Sequence, residues 1–142
     1  RVIFQEITKS AIEHAIEYPR DILALRFLQD VSILIGEYNE CRDIFSYVVE
    51  SYPCDSPLLG YVLGGFAFFV EETNDLIFAK HLVEKAIALA PNSSWTIHSA
   101  AHVFEELSEP RAGIDFLEKY YGYWKTTTLA CHLSWHAALV VQ

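Results

Sequence analysis

Residues 95–106 read Trp-Thr-Ile-His-Ser-Ala-Ala-His-Val-Phe-Glu-Glu, a stretch that places His98 and His102 four positions apart. Side chains with this spacing lie on the same face of an α-helix. A second pair, His132 and His136, repeats the first at one common offset, since 132 minus 98 equals 136 minus 102. This offset is typical of α-solenoids in which a period of about 34 positions covers two helices joined by a turn. The stretch therefore predicts an all-α fold, a right-handed α-solenoid of antiparallel helix pairs.

The prolines follow the same period. The interval from Pro19 to Pro53 equals that from Pro57 to Pro91, and both equal the offset between the histidine pairs. Because helices commonly end before a proline, these positions predict repeats at approximately 22–55, 60–93 and 94–127. Residues 56–59 are then expected to be a four-residue insertion, and 128–142 a partial fourth repeat. We expect residues 1–142 to form a single domain that is an excerpt of a longer chain.

Small residues recur where the two helices of a repeat should cross. Cys41, Ala79 and Gly113 occupy equivalent places in successive repeats. The interval from Ala79 to Gly113 equals the period. The interval from Cys41 to Ala79 is longer than the period by four residues, which is the length of the predicted insertion. Small side chains at such positions allow two helices to approach to the shorter end of the usual separation of about 8–10 Å.

The sequence resembles the tetratricopeptide repeat proteins in general and the tetratricopeptide repeat protein 38 family more closely. The residues that carry the closer resemblance are Asp21-Ile22-Leu23-Ala24-Leu25, Gly60-Tyr61-Val62-Leu63-Gly64, Phe68, Glu71-Glu72, His98, Ala101-His102-Val103, Glu105, Trp124, Leu129, His132, Trp135-His136 and Ala138-Leu139. The resemblance extends over essentially the whole chain. It implies the fold but not the function, so the prediction of a protein-binding scaffold module depends on the residues of the groove.

Composition excludes several classes of partner. The net charge is −9 and no two basic residues are adjacent, which argues against nucleic-acid binding. The most apolar run, 61–70, has about half the length that a membrane-spanning helix needs. The three cysteines, Cys41, Cys54 and Cys131, include no C-x-x-C pair. We therefore expect a cytoplasmic protein with neither nucleic-acid nor membrane partners.

The first helix of each repeat in such a solenoid lines the concave groove. The polar and aromatic side chains expected there are Arg26, Asp30, Tyr61, Phe68, Glu71, Trp95, His98, His102, Glu105, His132 and His136. Charged and aromatic groups in this combination suit a peptide-like or small polar ligand. The sequence thus predicts a binding module with a histidine-rich groove and no cofactor.

A metal site is the alternative interpretation of the same histidines. If neighbouring first helices are about 10 Å apart, the two pairs can converge on one ion. They would offer three or four imidazole nitrogens to Zn²⁺, with Glu71 or Glu105 as a ligand or as a support. The glutamate that follows the first histidine of an H-E-x-x-H hydrolase is absent, since Ser99 stands there.

Two further interpretations concern structure and catalysis. The histidines could instead bond to Asp30, Glu71 or Glu105 across adjacent helices and so join the repeats. Ser99 and Cys131 each lie next to a histidine, and adjacent helical residues point about 100° apart, so neither forms a nucleophile–base pair with that neighbour. We predict no catalytic residue.

Two expectations concern the last part of the chain. Trp124 and Trp135 have the helical spacing of core residues. The final helix ends in Leu139-Val140-Val141 with no second helix to cover it. Self-association through this incomplete helix is therefore a further candidate interaction.

Overall fold

The computed structural model of the protein describes residues 2–139, which contain helices and no strand. The helices are α1 Val2–Glu17, α2 Ile22–Ile35, α3 Tyr38–Val49, α4 Pro57–Glu72, α5 Leu76–Leu89, α6 Ser94–Glu106, α7 Pro110–Lys119, α8 Tyr121–Trp124 and α9 Ala130–Leu139. The prediction of an all-α chain is confirmed at this level. No helix in this part of the chain combines the length and the apolar character that crossing a membrane requires.

Local sequence explains where the helices on the histidine side begin and end. The Asp21 carboxylate accepts a hydrogen bond from the Ala24 amide at the start of α2, and the Ser93 hydroxyl accepts one from the Thr96 amide at the start of α6. These bonds satisfy amides that have no partner within the helix. Gly36, with φ of 76°, ends α2 in the left-handed region that favours glycine.

The predicted insertion at residues 56–59 lies at the start of a helix. Helix α4 begins at Pro57, so these residues form the entry and first turn of a 16-residue helix. Proline suits the first helical position because the amide it lacks would have no partner there. Pro110 begins α7 in the same way.

Helix α4 is the centre of the packing. It contacts α3 and α5, its neighbours in sequence, and also α2 and α6. Helix α6 in turn contacts α9, so the helices α2, α4, α6 and α9 touch one after another. Nearly the whole of α4 from Leu59 to Glu71 is buried.

Gly64 sets the distance between α4 and α6. A Cβ atom at this position would collide with the side chain of Thr96. The Ser99 hydroxyl donates to the Gly64 carbonyl at 2.9 Å and fixes the same contact. This close approach brings the end of α4, with Glu71, against His102 on α6.

The predicted small crossing residues Cys41, Ala79 and Gly113 are all buried. Trp124 is also buried, and its indole N–H donates to the Leu117 carbonyl. The core assignment of Trp135 is wrong, since this side chain is 55% exposed. Helix α9 turns Leu133 and His136 inward, which leaves Trp135 stacked on the exposed His132 ring.

The predicted apolar end face falls largely outside the described residues, which stop before Val140 and Val141.

Candidate metal centre

The four histidines of the two pairs form one cluster. His98 and His102 lie on α6, and His132 and His136 lie on α9. Five of the six ring pairs have centroids 4.5–5.3 Å apart. The two histidine pairs therefore form one four-imidazole cluster where α6 contacts α9.

The ring nitrogens have nearly the spacing of a metal coordination sphere. Within each pair the two Nε2 atoms are 3.1 Å apart. One ligand nitrogen from each of the four rings lies within 4.8 Å of all the others. Tetrahedral Zn²⁺ with bonds of about 2.0–2.1 Å holds its nitrogens about 3.4 Å apart. Each pair already spans one edge of such a tetrahedron, and the distances between the pairs, at most 4.8 Å, would have to shorten by no more than about 1.4 Å.

Carboxylates lie behind two of the rings. The Glu105 Oε2 atom is 2.9 Å from His136 Nδ1, and Glu71 Oε2 is 3.6 Å from His102 Nδ1. Histidines that bind metal through one ring nitrogen commonly donate the other N–H to a carboxylate, which fixes the ring orientation. His98 differs, because its Nδ1 atom is buried and has no hydrogen-bond partner.

The cluster lies mostly out of solvent. His98 and His136 are 4% and 2% exposed, whereas His132 is on the surface. Phe68 and Trp95 form an aromatic wall against His98, with ring centroids 6.1 and 4.8 Å from it. The cluster is thus shielded from solvent on the side of α4 and reaches the protein surface at His132.

Burial keeps the α6 histidines neutral. It lowers the pKa of His98 to about 2 and that of His102 to about 4, and the neighbouring imidazoles of the cluster contribute further lowering. Burial also lowers the pKa of His132, followed by the effect of His136. Because metals bind the neutral imidazole, these rings need no deprotonation at neutral pH.

The pKa values of the two carboxylates at the end of α4 are raised, whereas those of three histidines of the cluster are lowered. Burial raises the pKa of Glu71 to about 8, and repulsion from Glu72, Glu106 and Glu105 adds to the shift. Burial and the charge of Glu106 raise the pKa of Glu72 as well. This group of acids therefore repels itself, and a nearby cation would relieve the repulsion.

The structure divides the predicted groove residues into two groups. Phe68, Glu71, Trp95 and Glu105 surround the four histidines, as described above. The Arg26 guanidinium lies 3.7 Å from the Trp95 ring centroid and forms an ion pair with the Asp30 carboxylate. Asp30 therefore pairs with Arg26, contrary to the alternative in which it bonds a histidine. The Tyr61 hydroxyl donates to Asn92 on the same face.

The expected groove is partly filled by its own residues. Phe68, Glu71, His98 and His136 are each less than a tenth exposed, although we expected them to face an open concavity. The close approach of α4 to α6 and the contact of α6 with α9 enclose these side chains. A cleft of about 220 Å³ remains beside them, lined in part by Arg26, Tyr61 and Trp95.

Glu72 is a residue that the sequence interpretation left out of the predicted site. One of its oxygens lies within 4.8 Å of ligand atoms of Glu71 and His102, so these three residues form a second group of possible ligands. Its place next to Glu71, at the end of the most apolar stretch in the chain, was the available signal.

No family model matches the chain, and no solved structure matches it.

Proposed function

We propose that the protein binds a divalent transition-metal ion, Zn²⁺ in the first instance, through His98, His102, His132 and His136. The observation that carries this proposal is the convergence of four ring nitrogens to within 4.8 Å of one another. The arrangement brings together ligands from two helices, so a bound ion would also hold α9 against α6.

The chemistry of the ligands favours zinc. Imidazole suits Zn²⁺, Cu²⁺ and Ni²⁺, and a set of four protein ligands suits the tetrahedral geometry of Zn²⁺. Within each pair the metal-free rings share one proton between two Nε2 atoms. A Zn²⁺ ion in that place would bind both Nε2 atoms after the shared proton has moved to the Nδ1 atom of its own ring. Glu105 would accept the Nδ1–H proton of His136, and the Glu71 carboxylate lies 3.6 Å from the Nδ1 atom of His102.

The surrounding charge supports the same proposal. Four neutral imidazoles leave the ion with its full double positive charge, which is costly in a buried place. The four glutamates of α4 and α6 stand close enough to repel one another. A bound ion would favour the ionised form of these carboxylates, and their negative charge would then offset that of the ion.

We also propose that the helices form a right-handed α-solenoid of antiparallel pairs related to the tetratricopeptide repeat superfamily. The contacts of α2 with α4, α4 with α6 and α6 with α9 support this arrangement. Residues 1–142 as one domain and a cytoplasmic location remain predictions.

Metal content and stability test the proposed metal site. The purified protein, freed of metal and given one equivalent of Zn²⁺, should retain it through desalting and gain thermal stability, since the ion binds the folded state. His132 is exposed, so His132→Ala removes one ligand at little cost to the fold. We expect this variant to lose Zn²⁺ affinity by about 100-fold or more. The double variant His98→Ala with His132→Ala should bind none.

The matched control is His81→Ala, which removes an exposed histidine on α5 outside the cluster. It should keep the Zn²⁺ affinity of the unaltered protein. Protein that retains no Zn²⁺ and shows no change in thermal stability on its addition would refute the metal proposal.

The cleft supports the predicted binding of a small polar ligand as a second candidate function. It combines apolar walls, among them Ile22 and Val62, with Arg26, Tyr61 and Trp95. The Trp95 indole N–H is buried and has no hydrogen-bond partner. A ligand with a carboxylate could reach Arg26, and a peptide C-terminus provides one. An ¹⁵N-labelled protein titrated with acetylated dialanine should shift the Trp95 indole signal, whereas that of Trp124, bonded to Leu117, should stay in place.

A further inference from the structure

We propose a second divalent-cation site, formed by the carboxylates of Glu71 and Glu72 and the Nδ1 atom of His102. The imidazole of His102 would bridge the second ion to the first. This inference rests on the proposed four-histidine site, because His102 belongs to both sites.

The two ring nitrogens of His102 face different groups, so this residue can bridge two ions. Its Nε2 atom faces His98 Nε2 at 3.1 Å, inside the histidine cluster. Its Nδ1 atom, on the other side of the ring, faces Glu71 Oε2 at 3.6 Å. That separation is close to the distance of about 3.4 Å between two ligands of a tetrahedral ion. One ligand atom each from Glu71, Glu72 and His102 lies within 4.8 Å of the others.

The buried carboxylate of Glu71 independently indicates a cation-binding site. The residue is 7% exposed, and its Oε2 atom is buried without a hydrogen-bond donor. The distance of 3.6 Å to His102 is too long for a hydrogen bond. A buried carboxylate oxygen without a partner is costly, and a cation is the partner that also relieves repulsion from Glu72, Glu105 and Glu106.

The two sites differ in coordination. The first has four protein ligands, which is typical of a closed structural site, whereas the second has three and leaves a position for water. Glu72 is partly exposed, so the second ion is accessible from solvent. In a protein with one ion, the His102 Nδ1–H proton points to Glu71. The second Zn²⁺ replaces that proton and the proton of any neutral Glu71 carboxyl, and both pass to solvent.

Zinc stoichiometry distinguishes this inference from the first proposal. Metal-free protein is titrated with Zn²⁺ by calorimetry, and the retained metal is measured after desalting. We expect two ions per chain, and one ion in Glu72→Gln, which removes a ligand at a partly exposed position. The matched control is Glu84→Gln, an exposed acid on α5. It should still bind two.

Nitrogen shifts of the histidine rings provide a second measurement. With one equivalent of Zn²⁺, a long-range ¹H–¹⁵N spectrum should show His102 protonated at Nδ1. With two equivalents that proton should be lost, and in Glu72→Gln it should remain at both ratios.

The possible results separate the two proposals. One ion in both the unaltered protein and Glu72→Gln, with the Nδ1–H proton retained, would overturn the second site and leave the four-histidine site in place. No retained ion in the unaltered protein would overturn both.

Discussion

The two histidine pairs have the same spacing in sequence and the same distance of 3.1 Å between their Nε2 atoms, yet their surroundings differ. On α6, His98 is enclosed by Phe68 and Trp95, and burial lowers its pKa to about 2. On α9, His132 is exposed to solvent. The spacing of four residues on a helix therefore determines the geometry of a pair, whereas the neighbouring helices determine its electrostatics. Changes to one pair or to its supports should separate these two effects.

Truncating the buried ring should have the largest effect on stability. His98→Ala removes a ring that packs against Phe68 and Trp95 and leaves a cavity, which should cost about 2–4 kcal/mol in the metal-free protein. His132→Ala removes an exposed ring and should change stability by no more than about 0.5 kcal/mol. Urea denaturation with EDTA present measures both. Equal losses for the two variants would contradict the difference in burial.

Gly64→Ala should separate α4 from α6 and so disturb the α6 pair first. The added methyl group collides with Thr96, and overpacking of this kind costs about 1–3 kcal/mol. The control is Gly122→Ala, where a Cβ atom meets nothing within 4 Å. In Gly64→Ala the ring signals of His102 should shift more than those of His136, whose carboxylate partner Glu105 lies on α6 itself. A stable variant with unshifted His102 signals would refute the close approach.

The stability of the metal-free protein should be greatest near the ordinary histidine pKa of 6.5. The pKa values of His98 and His102 in the folded protein are below 6.5. Below this pH the unfolded chain therefore binds more protons than the folded chain, and the folded protein loses stability as the pH falls. Glu71 has its pKa raised from 4.5 to about 8, so the folded chain holds an extra proton between these values. The two histidines outweigh Glu71 below pH 6.5, and Glu71 dominates above it. The lowered pKa of His132 and the raised pKa of Glu72 act in opposite directions.

Each proton contributes a slope of about 1.4 kcal/mol per pH unit, so the predicted curve falls by about that slope on both sides. Denaturation series from pH 4.5 to 8 measure it. Glu71→Gln should abolish the decline on the alkaline side. Stability that keeps rising to pH 8 in the unaltered protein would show that Glu71 is ionised when folded.

The smallest effect is expected from the support of the α9 pair. The Glu105 carboxylate holds His136 through Nδ1, and loss of such a support typically lowers metal affinity by about 10- to 100-fold. Glu105→Gln should show this loss in Zn²⁺ titrations at one equivalent. Glu106→Gln, an exposed neighbour on the same helix, serves as the control and should lose less. Equal losses would mean that general charge, and not the bond to His136, matters.

Much of the four-histidine cluster could be predicted from the sequence. The spacing of His98, His102, His132 and His136 predicted two pairs on helices, and the repeat period predicted that they would meet. Local periodicity suffices for this, because a helix has fixed geometry. Glu71 and Glu105 were also named as supports on the same grounds.

Burial could not be predicted in the same way. Whether His98 faces a groove or a wall depends on how closely α4 approaches α6, and that distance depends on the contact of Gly64 with Thr96, which are far apart in sequence. Trp135 shows the same limit, since helical spacing alone suggested a core residue, and the inward turn of Leu133 and His136 leaves it exposed. Pro57 was interpreted as a helix stop, although proline also suits a helix start.

The most direct test of the four-histidine site is the zinc X-ray absorption spectrum of the protein loaded with one equivalent of Zn²⁺. The structure predicts four nitrogen neighbours at about 2.0–2.1 Å with the multiple-scattering pattern of four imidazoles. His132→Ala should reduce the imidazole count to three. A spectrum with two or fewer imidazoles in the unaltered protein would mean that the α6 and α9 pairs do not share an ion, and would refute the four-histidine site.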